Sequence, residues 1–287
     1  MMAALQEYRE RRIAAQDGLR LYYRDYGDPN SAHTPLVCLA GLTRNSKDAH
    51  EFALRHSKDR RVLCPDYRGR GKSAYDSNHK NYSPNTYVSD LVHVLDAANV
   101  HSAVIAGTSL GGLLAMGLAV VRPAMVAGVI LNDIGPDIPE GGASRIAGYI
   151  GTARVFDDWP TAAAALNERF AAAYPDLEEA RWIALAKETF AEGKDGKVRT
   201  DYDLAIAKSF RSGADIPPLW PMFQALGAIP VLAIRGALSD VLSAETFDKM
   251  AEVKPDLIRV TVPNRGHVPL LDEPEAEAAI DEFLAGL

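Results

Sequence analysis

Apolar residues fall in short unbroken runs at 35–40, 62–65, 103–106, 126–131 and 230–234, and a further strand is expected at 257–262, where Arg259 and Thr261 interrupt the apolar positions. Runs of this length without polar alternation predict strands buried on both faces, as in a parallel sheet. The segments between them carry helical spacing. A helix is expected after residues 41–46 and to end near Ser57. Another opens at Ser83-Pro84, an N-cap followed by proline at the first helical position, with Val88, Leu91, Val92 and Leu95 behind it. Further helices are expected from about Ser243 and from Pro274, the last with Ile280, Phe283 and Leu284 inward. Ahead of all this, residues 6–14 and 19–26 read as two strands joined at Gln16-Asp17-Gly18, where Asp-Gly supplies the positive φ of a tight hairpin. Strand and helix alternate four times by residue 132. That alternation predicts an α/β fold with a mostly parallel, doubly wound sheet and helices on both faces.

From residue 135 to about 228 the alternation stops, and helical patterns follow one another without a convincing buried strand. This segment holds 11 of the chain's 22 aromatic residues and all three Trp, so it has apolar surface of its own to bury. We expect a helical cap at 135–228, inserted between a first core segment, 1–134, and a second, 229–287.

Composition narrows the function. At 287 residues and 47% hydrophobic, the chain can bury a large core. Its net charge of −7, with no basic block, argues against a nucleic-acid partner. Residues 1–7 have neither a basic n-region nor an apolar h-region, and the longest apolar stretch is broken by Arg122-Pro123. A cytoplasmic protein without a membrane partner is therefore expected. Cys38 and Cys64 each lie in an apolar run and read as core residues in a reducing compartment.

The chemistry concentrates at Gly107-Thr108-Ser109-Leu110-Gly111-Gly112, where a buried strand runs into G-x-S-x-G and an apolar helix follows at once. This is the strand–turn–helix setting of a nucleophile elbow, which holds a serine hydroxyl up at the carboxyl edge of a sheet. A serine hydroxyl is a weak nucleophile, so a base must reach it and an acid must orient the base. His267 follows the last strand, Asp240 follows the strand before it, and Asp133 follows the strand before the insertion. In a parallel sheet all three loops share the edge that carries Ser109.

On these residues the sequence resembles the α/β-hydrolase superfamily. Asp66-x-Arg68-Gly69-x-Gly71-x-Ser73 is similar to the family's glycine-rich loop. Gly266-His267 followed by Glu273-Pro274 is similar to its carboxyl-terminal pattern. The resemblance implies Ser109 as nucleophile, His267 as general base and then acid, and Asp240 as the orienting carboxylate. Asp240 is favoured because Gly236-x-x-Ser239-Asp240 matches the commoner acid loop, with Asp133 as the alternative. It also implies an oxyanion hole from the backbone N–H groups of Leu42 and Leu110. Two departures stand out. Ala40-Gly41 replaces the frequent His-Gly, and Val268 follows His267 where carbon–carbon bond hydrolases commonly carry Trp. Ser109 at the elbow argues against the dehalogenases and epoxide hydrolases, which use Asp there.

Around this centre Arg44, His50, Trp159 and Trp220 are candidates to line the substrate pocket, Arg44 as a partner for a substrate carboxylate. The reading is a serine hydrolase that cleaves a small or medium, largely hydrophobic carboxylic ester or lactone through an acyl-enzyme, without cofactor or metal. Two rivals use the same residues: hydrolysis of a carbon–carbon bond in a vinylogous diketone, and a low-turnover ligand-binding receptor.

Overall fold

The computed structural model of the chain describes residues 7–211 and 219–287. The first six residues of the expected export-free terminus, and 212–218 of the expected cap, lie outside them. The antiparallel start is β1 (Arg9–Ala14) and β2 (Arg20–Tyr26), closed by a turn in which Gly18 has φ 83°. Then come β3 (Leu36–Leu39), α1 (His50–His56), β4 (Val62–Asp66), α2 (Pro84–Ala97), β5 (Ala103–Thr108), α3 (Leu110–Val121) and β6 (Val126–Asn132). The Ser83 hydroxyl caps α2 by accepting from the Thr86 N–H, and Pro84 occupies the first helical position.

The segment between β6 and the next core strand contains α4 (Glu140–Tyr149), β7 (Val155–Phe156), α5 (Trp159–Phe170), α6 (Glu179–Thr189), β8 (Phe190–Glu192), β9 (Val198–Thr200), α7 (Ile206–Arg211) and α8 (Leu219–Gln224). The chain returns to the core with β10 (Val231–Gly236), α9 (Ala244–Val253), β11 (Ile258–Val262) and α10 (Pro274–Ala285). Eight strands form one sheet in the order β1-β2-β4-β3-β5-β6-β10-β11, parallel from β4 onward.

Both faces are covered, as the unbroken apolar runs require. Along β5, Ala103 and Ile105 enter one core with residues of α2, α3 and α9, while Val104 and Ala106 enter the other with residues of α1 and α10. Cys38 and Cys64 are buried and free. Among the described residues no helix is long and apolar enough to cross a membrane.

The insertion differs from an all-helical cap. β7, β9 and β8 form a small antiparallel sheet, too short for a period-2 pattern to stand out in the sequence. This sheet joins α5 and α6 around a separate core of Ala162, Leu166, Trp182, Leu185, Phe190 and Val198. By contrast α8 packs against α3, and its Phe223 is buried in the main core, so this end of the expected cap lies on the core layer.

Below the sheet edge the loop after β4 is held by Arg68. Its guanidinium donates to both oxygens of Asp90 at 2.7 Å, and to Asp17 at 2.8 Å and Asp76 at 2.7 Å. The Arg68 side chain is 2% exposed and that of Asp90 7%. Removing one member of a buried ion pair leaves the other charge uncompensated. Arg68→Met should therefore cost about 3–5 kcal/mol, read as a lower urea midpoint at unchanged slope.

Candidate active site

Ser109 stands between β5 and α3 with φ 52° and ψ −115°, a left-handed conformation forced on a residue with a side chain. Two glycines make the turn feasible. A Cβ on Gly107 would strike the backbone of Gly111, and a Cβ on Gly111 would strike the Leu39 carbonyl of β3. The Ser109 N–H donates to the Asn132 carbonyl at 3.0 Å, which ties the turn to the end of β6.

His267 lies in the loop after β11, with Nε2 2.9 Å from Ser109 Oγ and Nδ1 2.8 Å from Asp133 Oδ2. Because a carboxylate only accepts, Nδ1 carries the ring proton and Nε2 is left to accept from the serine hydroxyl. The His267 loop is fixed at both ends. Buried Glu273 accepts from Arg265 Nε at 2.7 Å and from the Leu270 and Leu271 N–H groups at 2.9 Å. From the cap, the Tyr174 hydroxyl donates to the Val268 carbonyl at 2.8 Å and accepts from the Val268 N–H at 3.0 Å. Burial pushes that hydroxyl up to about 12, so it keeps its proton.

The expectation that Asp240 orients the histidine is corrected. The carboxylate on His267 Nδ1 is that of Asp133, which is 0% exposed. The cause is local. Asp133 leaves β6 with φ 54° while its N–H continues the ladder to the Ile234 carbonyl of β10. Its carboxylate is thereby placed under the loop after β10. There Oδ1 accepts from the Gly236 N–H at 2.8 Å and Oδ2 from the Ser239 hydroxyl at 2.6 Å. Asp240, one residue further, is turned to α4, where Arg145 Nη2 donates to it at 2.7 Å. That guanidinium holds the Asp240 carboxyl below its ordinary range.

The two backbone groups expected to form an oxyanion hole, on Leu42 and Leu110, border the same cavity as Ser109 and His267. Among the described residues neither N–H donates to another protein group. The loop that carries Leu42 is braced from the loop after β4. Tyr67 Oη donates to the Ala40 carbonyl at 3.0 Å, and Arg70 Nε to the Leu42 carbonyl at 2.9 Å. Arg70 is itself fully buried over the rings of Tyr67 and Tyr87. Ala40-Gly41 thus receives its support from beneath rather than from a histidine in the loop.

Above Ser109 lies a cavity of about 640 Å³, lined mainly by apolar groups such as Ile146, Phe170, Trp182 and Leu185 of the cap. Three of the four pocket candidates are placed away from the cavity. Trp159 packs in the cap core, and Trp220 lies against Phe223 and under Lys249, so neither lines the cavity. Trp182 does so instead. His50 meets the Tyr26 hydroxyl at 3.0 Å and Glu7 at 3.3 Å, away from the cavity. Arg44 does line it, but its guanidinium is committed to Asp48, Thr189 and Glu188. Helical spacing alone does not set how far a helix is rolled about its axis, and that roll chose Trp182 over Trp159. Ser239, Tyr174 and Glu273 are the supporting residues that sequence reasoning missed. Ser239 had a signal in its place beside a candidate acid and Glu273 in the carboxyl-terminal pattern, whereas Tyr174 had none.

A family model described as "Alpha/beta hydrolase family" matches residues 36–280. The 3-hydroxybutyrate-oligomer hydrolase of Cupriavidus necator is 34% identical over 277 residues, covering 93% of each chain. The 2-(acetamidomethylene)succinate hydrolase of Mesorhizobium japonicum is 27% identical over 230 residues, 79% of each. The crystal structure of an α/β hydrolase from Novosphingobium aromaticivorans superposes with a TM-score of 0.94 at 43% identity, covering 99% of this chain and 100% of that one. With a parallel sheet that carries Ser109 at its carboxyl edge and a match over most of its length, the chain belongs to the α/β hydrolase family.

Proposed function

We propose that this hydrolase cleaves a small or medium carboxylic ester through an acyl-enzyme formed on Ser109. The observation that carries this reading is the unbroken hydrogen-bond chain Ser109–His267–Asp133, opening on a largely apolar cavity. Ser109 Oγ attacks the ester carbonyl while its proton passes to His267 Nε2. The carbonyl oxygen becomes an oxyanion, which the backbone N–H groups of Leu42 and Leu110 stabilise. His267 then gives its proton to the departing alkoxide, leaving the acyl group on Ser109. Water, deprotonated by His267, repeats the sequence and releases the acid and free Ser109. Asp133 keeps the imidazole in the required tautomer and stabilises the imidazolium. The Cupriavidus relative is a hydrolase of 3-hydroxybutyrate oligomers, so short hydroxyacid esters are the first substrates to try.

A chain-length panel of 4-nitrophenyl esters, run with Ser109→Ala as control, tests the reading. Rapid Ser109-dependent turnover is expected. Cleavage of a dienol diketone alone, or stoichiometric binding without turnover, would overturn it. Ser109→Ala and His267→Ala should each lower kcat by about 10⁶, with the double variant little worse, because the two act as one unit.

The acid is assigned by a second pair of variants. Asp133→Asn should lose about 10⁴ in kcat at retained fold. Asp240→Asn should lose less than about tenfold, since its carboxylate serves Arg145. The reverse ranking would return the acid to the loop after β10.

The roof of the pocket gives a third test. Trp182→Leu should change the ratio of kcat/KM between long and short acyl chains by roughly 10- to 100-fold, whereas Trp220→Leu should leave that ratio within about threefold.

A further inference from the structure

The charges on the cavity wall do not match those of the chain. The protein carries a net −7, yet the cavity is lined by five arginines against three carboxylates, Asp48, Asp137 and Glu188. Three of the arginines are neutralised. Arg44 pairs with Asp48 and Glu188, Arg181 with Glu188 and Asp272, and Arg145 with Asp240. The other two, Arg154 and Arg169, meet no carboxylate among the described residues.

Their surroundings hold them in place without discharging them. Arg154 is pinned through its backbone, with its N–H on Thr200 Oγ1 at 3.0 Å and its carbonyl accepting from the Thr200 N–H at 3.3 Å. Arg169 lies over the Tyr149 ring, 4.7 Å from the centroid, and 5.8 Å from that of Phe170. Burial first, then repulsion from Arg154 and Arg145, draws the Arg169 guanidinium below its ordinary value. Arg154 is half-buried and Arg169 exposed, so the two guanidiniums stand on the solvent side of the cavity wall, where like charges with no carboxylate beside them repel each other and favour an anion that joins them. A guanidinium's fork of N–H donors matches a carboxylate in particular.

We propose that Arg154 and Arg169 form a carboxylate-binding subsite, so that the preferred ester carries a second, free carboxylate away from the bond that is cut. This deepens the esterase reading and rests on it for the position of the scissile bond. The carboxylate can belong to the acyl part or to the alcohol part of the ester.

Two sets of substrates separate those sources. Mono(4-nitrophenyl) esters of glutaric, adipic and suberic acid carry the charge on the acyl side. The butyrate ester of 4-hydroxybutyrate carries it on the alcohol side. Each is compared with its methyl-capped, uncharged counterpart. Wild type should favour at least one charged ester over its neutral match by roughly 10- to 100-fold in kcat/KM. Arg154→Gln and Arg169→Gln should each cut that ratio about tenfold or more, and the double variant should abolish it, at melting temperatures near wild type. No preference in wild type on either side, or a ratio unchanged in folded variants, would overturn the subsite.

A turnover-independent measurement distinguishes this from failure of the esterase reading. Monomethyl adipate should bind Ser109→Ala in calorimetry and lose roughly tenfold or more in affinity when Arg154→Gln is added. Such binding without hydrolysis of any ester would retain the subsite and retire the ester chemistry. Absence of binding together with equal turnover of charged and neutral esters would retire the subsite alone.

Discussion

The closeness with which α3 is laid across β3 and β5 governs the rest of the molecule. At Gly107 and Gly111 the backbones approach until no Cβ fits between them, and the chain can turn from strand to helix in a single residue. That residue is Ser109, whose φ of 52° is a conformation costing on the order of 1–3 kcal/mol for a residue with a side chain. Such strain persists only where surrounding packing over-determines it. Here the strand beneath is buried on both faces, and α3 contributes Leu114, Ala115 and Leu118 to the main core. The core therefore fixes where the hydroxyl stands, and the loops need only deliver partners to it.

A single buried carboxylate organises those loops. Asp133 is shut off from solvent, and an isolated charge there would be strongly unfavourable. It is tolerated because three donors converge on it, from Gly236, Ser239 and His267. The requirement works in both directions. The carboxylate needs the donors, and by gathering them it fixes the loop after β10 and the loop after β11 relative to the end of β6. The Ser239 hydroxyl spends its one proton on Asp133 and accepts from the Val241 and Leu242 N–H groups, so its own bonding is complete. A carboxylate in that spot would face Asp133 directly, and Asp240 is directed outward to Arg145.

Much of this was legible in the chain. Unbroken apolar runs are a direct consequence of two-sided burial, so β3, β5, β6 and β10 could be read as strands of a mostly parallel sheet, whereas the placement of β4 between β2 and β3 was not. Ser109 and His267 are marked by local motifs, and the structure brings their side chains together. The acid was not decidable, because Asp133 and Asp240 both follow core strands at the same edge. What separates them is a backbone angle, the positive φ at Asp133, to which sequence pattern gives no access. The pocket wall was hidden for another reason. Strands of two or three residues, such as β7, show no alternation, and the rotation of α5 and α6 about their axes is set by their mutual packing. Arg44 illustrates the limit for charges, since its partners Asp48 and Glu188 come from two segments far apart in sequence.

Tyr174 and Ala173 belong to the insertion, yet they hold the loop that carries His267: Tyr174 grips Val268 by both its N–H and its carbonyl, and Ala173 accepts from the Gly266 N–H at 2.7 Å. The roof is therefore not an exchangeable module set on an independent catalytic base. A chimera that imported a foreign roof would remove the clamp on the histidine's own loop, and recombination between such proteins has to move the 173–174 corner and the 266–268 loop as one inherited unit. Variation in what the pocket accepts is then channelled into positions such as those of α5 and β9, which can change without loosening that joint.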